Sequence, residues 1–362
     1  MLNLRLKIIL EARMASRVFV WPFVYTALSL LTPACGEAAQ DDRSVLTLSQ
    51  TQVAPTVGRA LSTNDSIQDL LNHPAFAGFA KLLLPWDDRR YDPSMRLTDI
   101  GTLMPYHSHV DPATSVAALN HMIAEANTGQ AIFYSFYSER QKQEQPAKAN
   151  TGLFFFRGKP GAPFAVISPG GGFAYVGSLH EGFPYAAEIS DKGYNAFVLK
   201  YRAGYGAKAA VADLAAAITF IFSNAASLGV GTDGYSLWGS SAGARMAASI
   251  GSHGLMSFGG DDLPKPATVV MAYTAHADYS PNEPPTFVVA GEQDRIAPPS
   301  SMERRVSALR GAGTEVEYRK FYDLGHGFGP GIGTSAEGWL DDAIRFWEKA
   351  IKIGSRRGRR YE

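Results

Sequence analysis

Short apolar runs alternate with longer, helix-like segments from residue 131 to residue 352. The short runs are rich in Val, Ile, Phe and Tyr, which favours strands, whereas the longer segments repeat apolar residues at helical spacing. The predicted strands are 131–137, 152–156, 164–168, 194–201, 235–238, 267–273, 285–290 and 315–322, and the predicted helices are 179–192, 207–228, 241–251, 299–312 and 335–352. This order predicts an α/β fold with a doubly wound, mostly parallel sheet, whose first two strands are antiparallel.

The chain outside this region has a weaker pattern. Residues 40–62 are polar and aperiodic, which predicts a linker, and residues 353–362 form a basic tail. Residues 63–130 contain helical spacing over 64–84, which Pro74 and Pro85 break into short pieces, and over 113–127, with a loop-rich stretch between. Since 63–130 has too few strands for a sheet of its own, we expect a helical and loop extension that packs against the 131–352 domain and borders its cleft.

The most informative motif joins a predicted strand to a predicted helix. Gly239-Ser240-Ser241-Ala242-Gly243 has the G-x-S-x-G pattern, in which a tight turn lifts the central serine above the sheet. Its alternative interpretation is an ordinary packed turn between a strand and a helix. The functional interpretation makes Ser241 a nucleophile, which requires a base within reach.

Only His326 among the histidines beyond Ser241 lies in a glycine-flanked loop after a further strand, which favours it as the base. An acid that orients this base is expected after an intervening strand. Asp294 follows the 285–290 run and is the preferred candidate. Its alternatives are Glu292, Asp278 and Asp323, and Asp294 itself is also compatible with a turn or helix cap before two prolines.

A second glycine-rich loop follows the strand at 164–168. Three consecutive glycines after Pro169 permit backbone N–H groups to point into a site without side-chain clashes. We expect the N–H groups of Gly171, Gly172 and Ala242 to form an oxyanion hole. A phosphate-binding loop is the rival interpretation, but the segment lacks the Gly-Lys-Ser/Thr ending that such loops carry.

Other polar and aromatic residues near these loops are weaker candidates. Tyr175 and Glu181 are predicted to contact substrate, although loop or core packing explains either residue equally well. Further candidates of the same kind are His180, Phe183 and Tyr273. The pair His107 and His109 has the spacing of metal ligands, but no further ligands follow closely, so no metal site is predicted.

Together these motifs resemble the α/β-hydrolase superfamily over about residues 150–352. The similarity is greatest to bacterial acetyl and acetylxylan esterases and the glucuronoyl- and feruloyl-esterase-like group. Hormone-sensitive-lipase relatives carry histidine before the three glycines, where this chain has Pro169. The resemblance implies that 131–352 is a catalytic domain that hydrolyses esters through an acyl-enzyme, with Ser241, Asp294 and His326 as triad and without a metal or organic cofactor.

Charge, cysteine content and the N-terminal residues limit the binding partners and the cellular location that the sequence predicts. The 362 residues contain 34 basic and 34 acidic side chains, so no electrostatic argument favours nucleic acid or an anionic membrane. The only cysteine, Cys35, excludes an intrachain disulfide. Residues 1–39 resemble an export signal, with Met14 as an alternative start and Cys35 as a lipidation site in a variant of this interpretation. The sequence thus predicts a periplasmic or extracellular enzyme, with a lipid anchor as its only membrane contact.

Two rival functions remain open from the sequence. A serine peptidase of the prolyl-oligopeptidase type shares the triad order, but its usual propeller domain would add repeated strands that the upstream sequence lacks. A non-catalytic scaffold on the same fold is the second rival, because a fold alone does not establish activity. The preferred substrate is a small-molecule or polysaccharide ester, with short-acyl esters of carbohydrates expected from the resemblance and from export.

Overall fold

The computed structural model describes residues 58–358, with side chains described through residue 354. The predicted signal peptide, with Met14 and Cys35, and most of the predicted linker lie outside the described residues. Of the predicted basic tail 353–362, residues 353–358 continue the last helix, and residues 359–362 lie outside the described part. The strands are β1 Phe133–Tyr134, β2 Gly152–Phe156, β3 Pro163–Ser168, β4 Asn195–Lys200, β5 Gly231–Ser240, β6 Thr268–Ala272, β7 Thr286–Gly291 and β8 Val316–Phe321.

Helices connect most of these strands. The α-helices are α1 Ile67–Leu71, α2 Pro112–Asn127, α3 Glu139–Glu144, α4 Phe183–Asp191, α5 Gly206–Ser223, α6 Ala225–Leu228, α7 Ala242–His253, α8 Pro299–Gly311 and α9 Trp339–Gly358. Short 3-10 segments occupy Pro74–Phe76, Ala80–Leu83, Leu97–Leu103, Pro146–Asn150 and Met256–Phe258, and Ser178–Gly182 is a π-helical turn.

The strands form one eight-stranded sheet in the order β1-β2-β4-β3-β5-β6-β7-β8. The β1–β2 and β2–β4 pairs are antiparallel, and every other pair is parallel. Neighbouring residues of β5 point to opposite faces, so Leu237 packs in one apolar core and Trp238 in the other. Both faces are therefore covered, and the predicted doubly wound, mostly parallel sheet is confirmed.

Several element boundaries differ from the sequence prediction. Only Phe133–Tyr134 of the predicted 131–137 strand pairs in the sheet. The predicted 207–228 helix is divided at Asn224, whose side-chain amide donates to the Phe220 carbonyl and ends α5. By contrast, the 64–84 region is divided as predicted: it forms α1 and two 3-10 turns, the first of which begins at Pro74, because proline lacks the N–H that continues a helix.

The segment before β1 is packed onto the sheet domain. Leu70 and Leu119 are fully buried in the same apolar core as Trp238. The fully buried Lys200, on β4, donates to the Leu84 carbonyl at 3.1 Å and lies 2.9 Å from Asp87. The core is thus continuous from the early helices to the central strand, and the loops between α1 and α2 lie within reach of the loops that follow the strands.

Candidate active site

Ser241 occupies a sharp turn between β5 and α7. Its backbone has φ 50° and ψ −113°, a strained conformation for a non-glycine residue, and its N–H donates to the Ala272 carbonyl at 2.8 Å. A Cβ on Gly239 would lie 2.3 Å from the Gly243 backbone, and one on Gly243 would lie 1.8 Å from the Ser168 carbonyl oxygen. Both glycines of the motif are therefore required by close backbone packing.

The structure brings Ser241, His326 and Asp294 into one hydrogen-bonded chain. The Ser241 Oγ lies 2.9 Å from Nε2 of His326, and Nδ1 of His326 lies 2.8 Å from Oδ2 of Asp294. The Asp294 side chain is fully buried, whereas Ser241 is half-buried. Because an ionised carboxylate only accepts hydrogen bonds, Nδ1 carries the proton, and Nε2 is free to accept one from the serine.

The alternative acids have other partners. Asp278 pairs with His253 at 2.8 Å, Glu292 lies 3.8 Å from Lys320, and Asp323 accepts from Ser335. The alternative turn interpretation of Asp294 also has a basis, since its Oδ1 accepts from the N–H groups of Ile296 and Ala297. One oxygen thus organises the loop while the other holds the histidine.

The glycine-rich loop after β3 lies beside the serine. A Cβ on Gly170 would lie 3.1 Å from the Ser241 Cβ, and positive φ angles of 124° and 62° at Gly171 and Gly172 favour glycine there. Within residues 58–358, the N–H groups of Gly171, Gly172 and Ala242 have no hydrogen-bond acceptor. These three donors remain available to an oxyanion formed at Ser241.

Glu181 does not face a cleft, which corrects the prediction that it contacts substrate. Its side chain is fully buried, and it accepts from the Gly170 N–H at 2.5 Å and from the Tyr273 hydroxyl at 2.7 Å. Its Oε1 also lies 3.0 Å from Nε2 of His107. Burial alone would raise the pKa of Glu181, but the charge and hydrogen bond of His107, with that of Tyr273, lower it to about 2.

Tyr175 is also fully buried, so the prediction of substrate contact is wrong for this residue as well. Its hydroxyl accepts from the Tyr106 N–H at 3.0 Å and lies 2.8 Å from Nδ1 of His107. The loop sequence around Tyr175 lacks a repeating pattern, so its orientation was not readable from the sequence. Tyr175 and Glu181 therefore pack against the buried side of the glycine-rich loop.

The other weak candidates are buried too. His180, Phe183 and Tyr273 have at most 2% of their surface exposed. Nε2 of His180 donates to the Gly327 carbonyl at 3.1 Å, and burial, followed by the nearby His107, lowers the pKa of His180 to about 4. The Tyr273 ring packs edge-on against His326, with centroids 5.3 Å apart. Burial raises the pKa of Tyr273, which therefore keeps the proton it donates to Glu181.

Residues from the segment before β1 complete this arrangement, and the sequence did not predict their role. The Ser108 N–H and hydroxyl donate to the carbonyls of Gly327 and His326 at 2.9 and 2.8 Å. The only sequence signal was the spacing of His107 and His109, which suggested a metal. No group of three or more His, Cys, Asp or Glu in the described part of the chain is arranged to hold a metal ion.

Two family models match parts of the chain that overlap at residues 254–262. Residues 157–262, which include the glycine-rich loop and Ser241, match the BD-FAE family. Residues 254–354, which include Asp294 and His326, match the prolyl oligopeptidase family. No curated protein gives a significant match to the sequence.

Solved structures share the architecture. An acetyl ester-xyloside bifunctional hydrolase from Caldicellulosiruptor lactoaceticus has a TM-score of 0.52 and 20% identity, covering 60% of this chain and 95% of its own. A sugar hydrolase from Lactococcus lactis has a TM-score of 0.50 and 19% identity, covering 56% and 95%. The chain has the α/β-hydrolase fold. The α/β-hydrolase MGS-M1 from a deep-sea metagenome, at 25% identity and a TM-score of 0.48, covers 56% of this chain and 93% of its own.

This fold explains the order of the three site residues. In α/β-hydrolases the serine precedes the acid, and the acid precedes the histidine. Here they follow β5, β7 and β8, so all three lie at the carboxyl edge of the parallel strands. The resemblance to the α/β-hydrolase superfamily is thereby confirmed, while the acetylxylan esterase-like specificity stays a prediction.

Proposed function

We propose that this protein is a serine hydrolase that cleaves carboxylic esters through an acyl-enzyme. The observation that carries the proposal is the hydrogen-bonded chain from Ser241 through His326 to Asp294. Next to it, the three N–H groups of Gly171, Gly172 and Ala242 have no acceptor in the described structure. A nucleophile, a base and free donors in one place are the components of acyl transfer.

The geometry supports a two-step reaction. Nε2 of His326 accepts the proton of Ser241 as its Oγ attacks the ester carbonyl, and the free N–H groups stabilise the tetrahedral oxyanion. His326 then donates this proton to the leaving alcohol. Water repeats the sequence on the acyl-enzyme, releasing the acid and restoring Ser241. Asp294 keeps Nδ1 protonated and stabilises the imidazolium that forms in each step.

Short-acyl esters of carbohydrates are the proposed substrates. The structural neighbour from Caldicellulosiruptor lactoaceticus is described as an acetyl ester-xyloside bifunctional hydrolase, which supports this class without determining it. The signal-like residues 1–39 support export, and with it access to extracellular polymers, with Cys35 as the proposed site of any lipid anchor. The required partner is then the small-molecule or polysaccharide ester itself.

A peptidase is the second candidate, favoured by the prolyl oligopeptidase family match over residues 254–354. Peptide and ester cleavage share the same triad, so the site geometry supports both reactions. The two candidates differ in the leaving group, which is an amine for a peptide and an alcohol for an ester. Rates on matched acetyl esters and peptide anilides therefore separate them.

The test measures hydrolysis of p-nitrophenyl acetate, butyrate and octanoate, acetate release from acetylated xylo-oligosaccharides, and cleavage of peptide anilides. We expect the highest kcat/KM with acetate, and acetate release from the oligosaccharides. Ser241→Ala should abolish both, whereas Ser249→Ala, a change on the same helix that removes a hydroxyl bonded to the Arg245 carbonyl, should not. Cleavage of the anilides alone would favour the peptidase, and activity that survives Ser241→Ala would refute the mechanism.

A further inference from the structure

Tyr106 combines an exposed ring with a rigidly held backbone. The residue is 43% exposed, and its ring stacks on that of buried Tyr175 with centroids 5.6 Å apart and planes 23° apart. Its N–H donates to the Tyr175 hydroxyl at 3.0 Å. One face of the ring packs on Tyr175 and the other is exposed to solvent. Such a ring offers a flat apolar surface with a preorganised orientation.

This ring touches the glycine-rich loop. A Cβ on Gly172 would lie 3.1 Å from Cε2 of Tyr106, so ring and loop are in direct contact. Gly172 is exposed, and its N–H is one of the three available donors. Tyr106 therefore borders the space in which the ester carbonyl must lie.

The backbone of Tyr106 touches the loop of the base. A Cβ on Gly327, next to His326, would lie 2.5 Å from the Tyr106 carbonyl oxygen. Two residues along the chain, Ser108 donates to the His326 carbonyl at 2.8 Å. Since His326 must donate its proton to the departing oxygen, the alcohol portion of an ester lies on this side of the site.

We propose that Tyr106 is a binding residue for the alcohol portion of the substrate and selects alcohols that carry a six-membered ring with an apolar face. The apolar face of a sugar ring or the face of an aryl ring would stack on the exposed side of Tyr106. This rests on the proposed ester hydrolysis and deepens it, because it assigns one residue to one half of the substrate. Methyl or ethyl alcohols are too small to cover the ring.

The experiment compares Tyr106→Ala and Tyr106→Phe with the wild-type chain on three acetates, namely phenyl acetate, an acetylated methyl xyloside and methyl acetate. We expect Tyr106→Ala to raise KM about 5- to 10-fold for the two ring-bearing esters, and Tyr106→Phe to stay near wild type. KM for methyl acetate should change less than twofold. Phenol and methyl xyloside, tested as competitive inhibitors, should lose affinity by the same factor in Tyr106→Ala.

Met256→Ala provides the control, because Met256 is 65% exposed and lies beyond the end of α7 opposite Ser241. It should leave all three KM values unchanged. A rise confined to either ring-bearing ester supports stacking and identifies the ring. An equal rise for methyl acetate, or no rise at all, overturns the proposal. Wild-type inactivity on every ester would instead refute the proposed function, so the two failures are distinguishable.

Discussion

The site contains two buried carboxylate–histidine pairs that look alike and have different surroundings. Asp294 and His326 are 2.8 Å apart, and Glu181 and His107 are 3.0 Å apart, with all four side chains at most 5% exposed. The second nitrogen of His326 faces the half-buried Ser241 hydroxyl, whereas that of His107 faces the buried Tyr175 hydroxyl. A buried carboxylate–histidine pair by itself therefore does not indicate a catalytic histidine. The group that faces the second histidine nitrogen distinguishes the two pairs.

The carboxylates differ in the same way. Asp294 accepts from two N–H groups of its own loop and from His326. Glu181 accepts from Gly170 of the glycine-rich loop and from Tyr273 after β6, and it binds His107 of the early segment. Glu181 thus joins three separate parts of the chain, which assigns it to holding the site together rather than to proton transfer.

The largest expected difference between the pairs is in turnover. His326→Gln should lower kcat by about 10⁴-fold or more, because no base remains for Ser241. His107→Gln should cost at most about a hundredfold, the size expected for a displaced loop. Rates on p-nitrophenyl acetate measure both. Equal losses in two folded variants would mean that His107 has a direct part in the chemistry.

Asp294→Asn should lower kcat by about 10⁴-fold with little loss of stability, because asparagine keeps an acceptor for the loop N–H groups but not the charge that orients His326. Activity and urea unfolding are measured on the same preparation. A stability loss above about 2 kcal/mol would place Asp294 with Glu181 as a structural carboxylate.

For Glu181→Gln we expect the reverse of Asp294→Asn, namely that stability falls more than turnover does. Removing one charge of a buried pair is expected to cost about 3 kcal/mol of the free energy of unfolding, because His107 loses its partner. Urea unfolding at pH 7 measures this loss. The double variant Glu181→Gln, His107→Gln should regain part of it, and a double variant no more stable than the single one would argue against the pair as the cause.

Acid should weaken the structure in two stages. The pKa of His180 falls from 6.5 to about 4 in the folded state, so the unfolded chain binds more protons and stability declines as pH falls through that range. The pKa of Glu181 falls from 4.5 to about 2, so its contribution is full above pH 4.5 and is lost as pH falls toward 2. Urea unfolding at pH 7, 5 and 3 tests both, and only the lower stage should disappear in Glu181→Gln.

The smallest expected effect concerns the contact between the early segment and the base. Ser108→Ala removes one hydrogen bond to the His326 carbonyl, which should cost about 1 kcal/mol of stability and lower kcat only severalfold. Thermal unfolding and ester hydrolysis measure this together. A loss as large as that of His107→Gln would show that Ser108, rather than the buried ion pair, is the principal anchor of the segment.

The two pairs also differ in how far the sequence predicts the positions of their residues. Ser241 and Asp294 each follow a strand with a clear apolar pattern, and His326 follows a third predicted strand of more polar sequence. Strands of a parallel sheet bring their carboxyl ends together. Their proximity therefore follows from local patterns combined with one rule of topology. Tyr175 and Glu181 lie in a loop without periodicity, so no pattern indicated whether their side chains face a cleft or the interior.

The sequence by itself determined the doubly wound sheet, because strand and helix periodicities depend on neighbouring residues. It also determined the tight turns, since Gly239 and Gly243 are the residues that such close backbone contacts require. Tertiary structure alone decided that Tyr106, His107 and Ser108 lie against the glycine-rich loop and the base. Ser108 and its partner His326, for example, are 218 residues apart, and such contacts arise from packing of the whole chain.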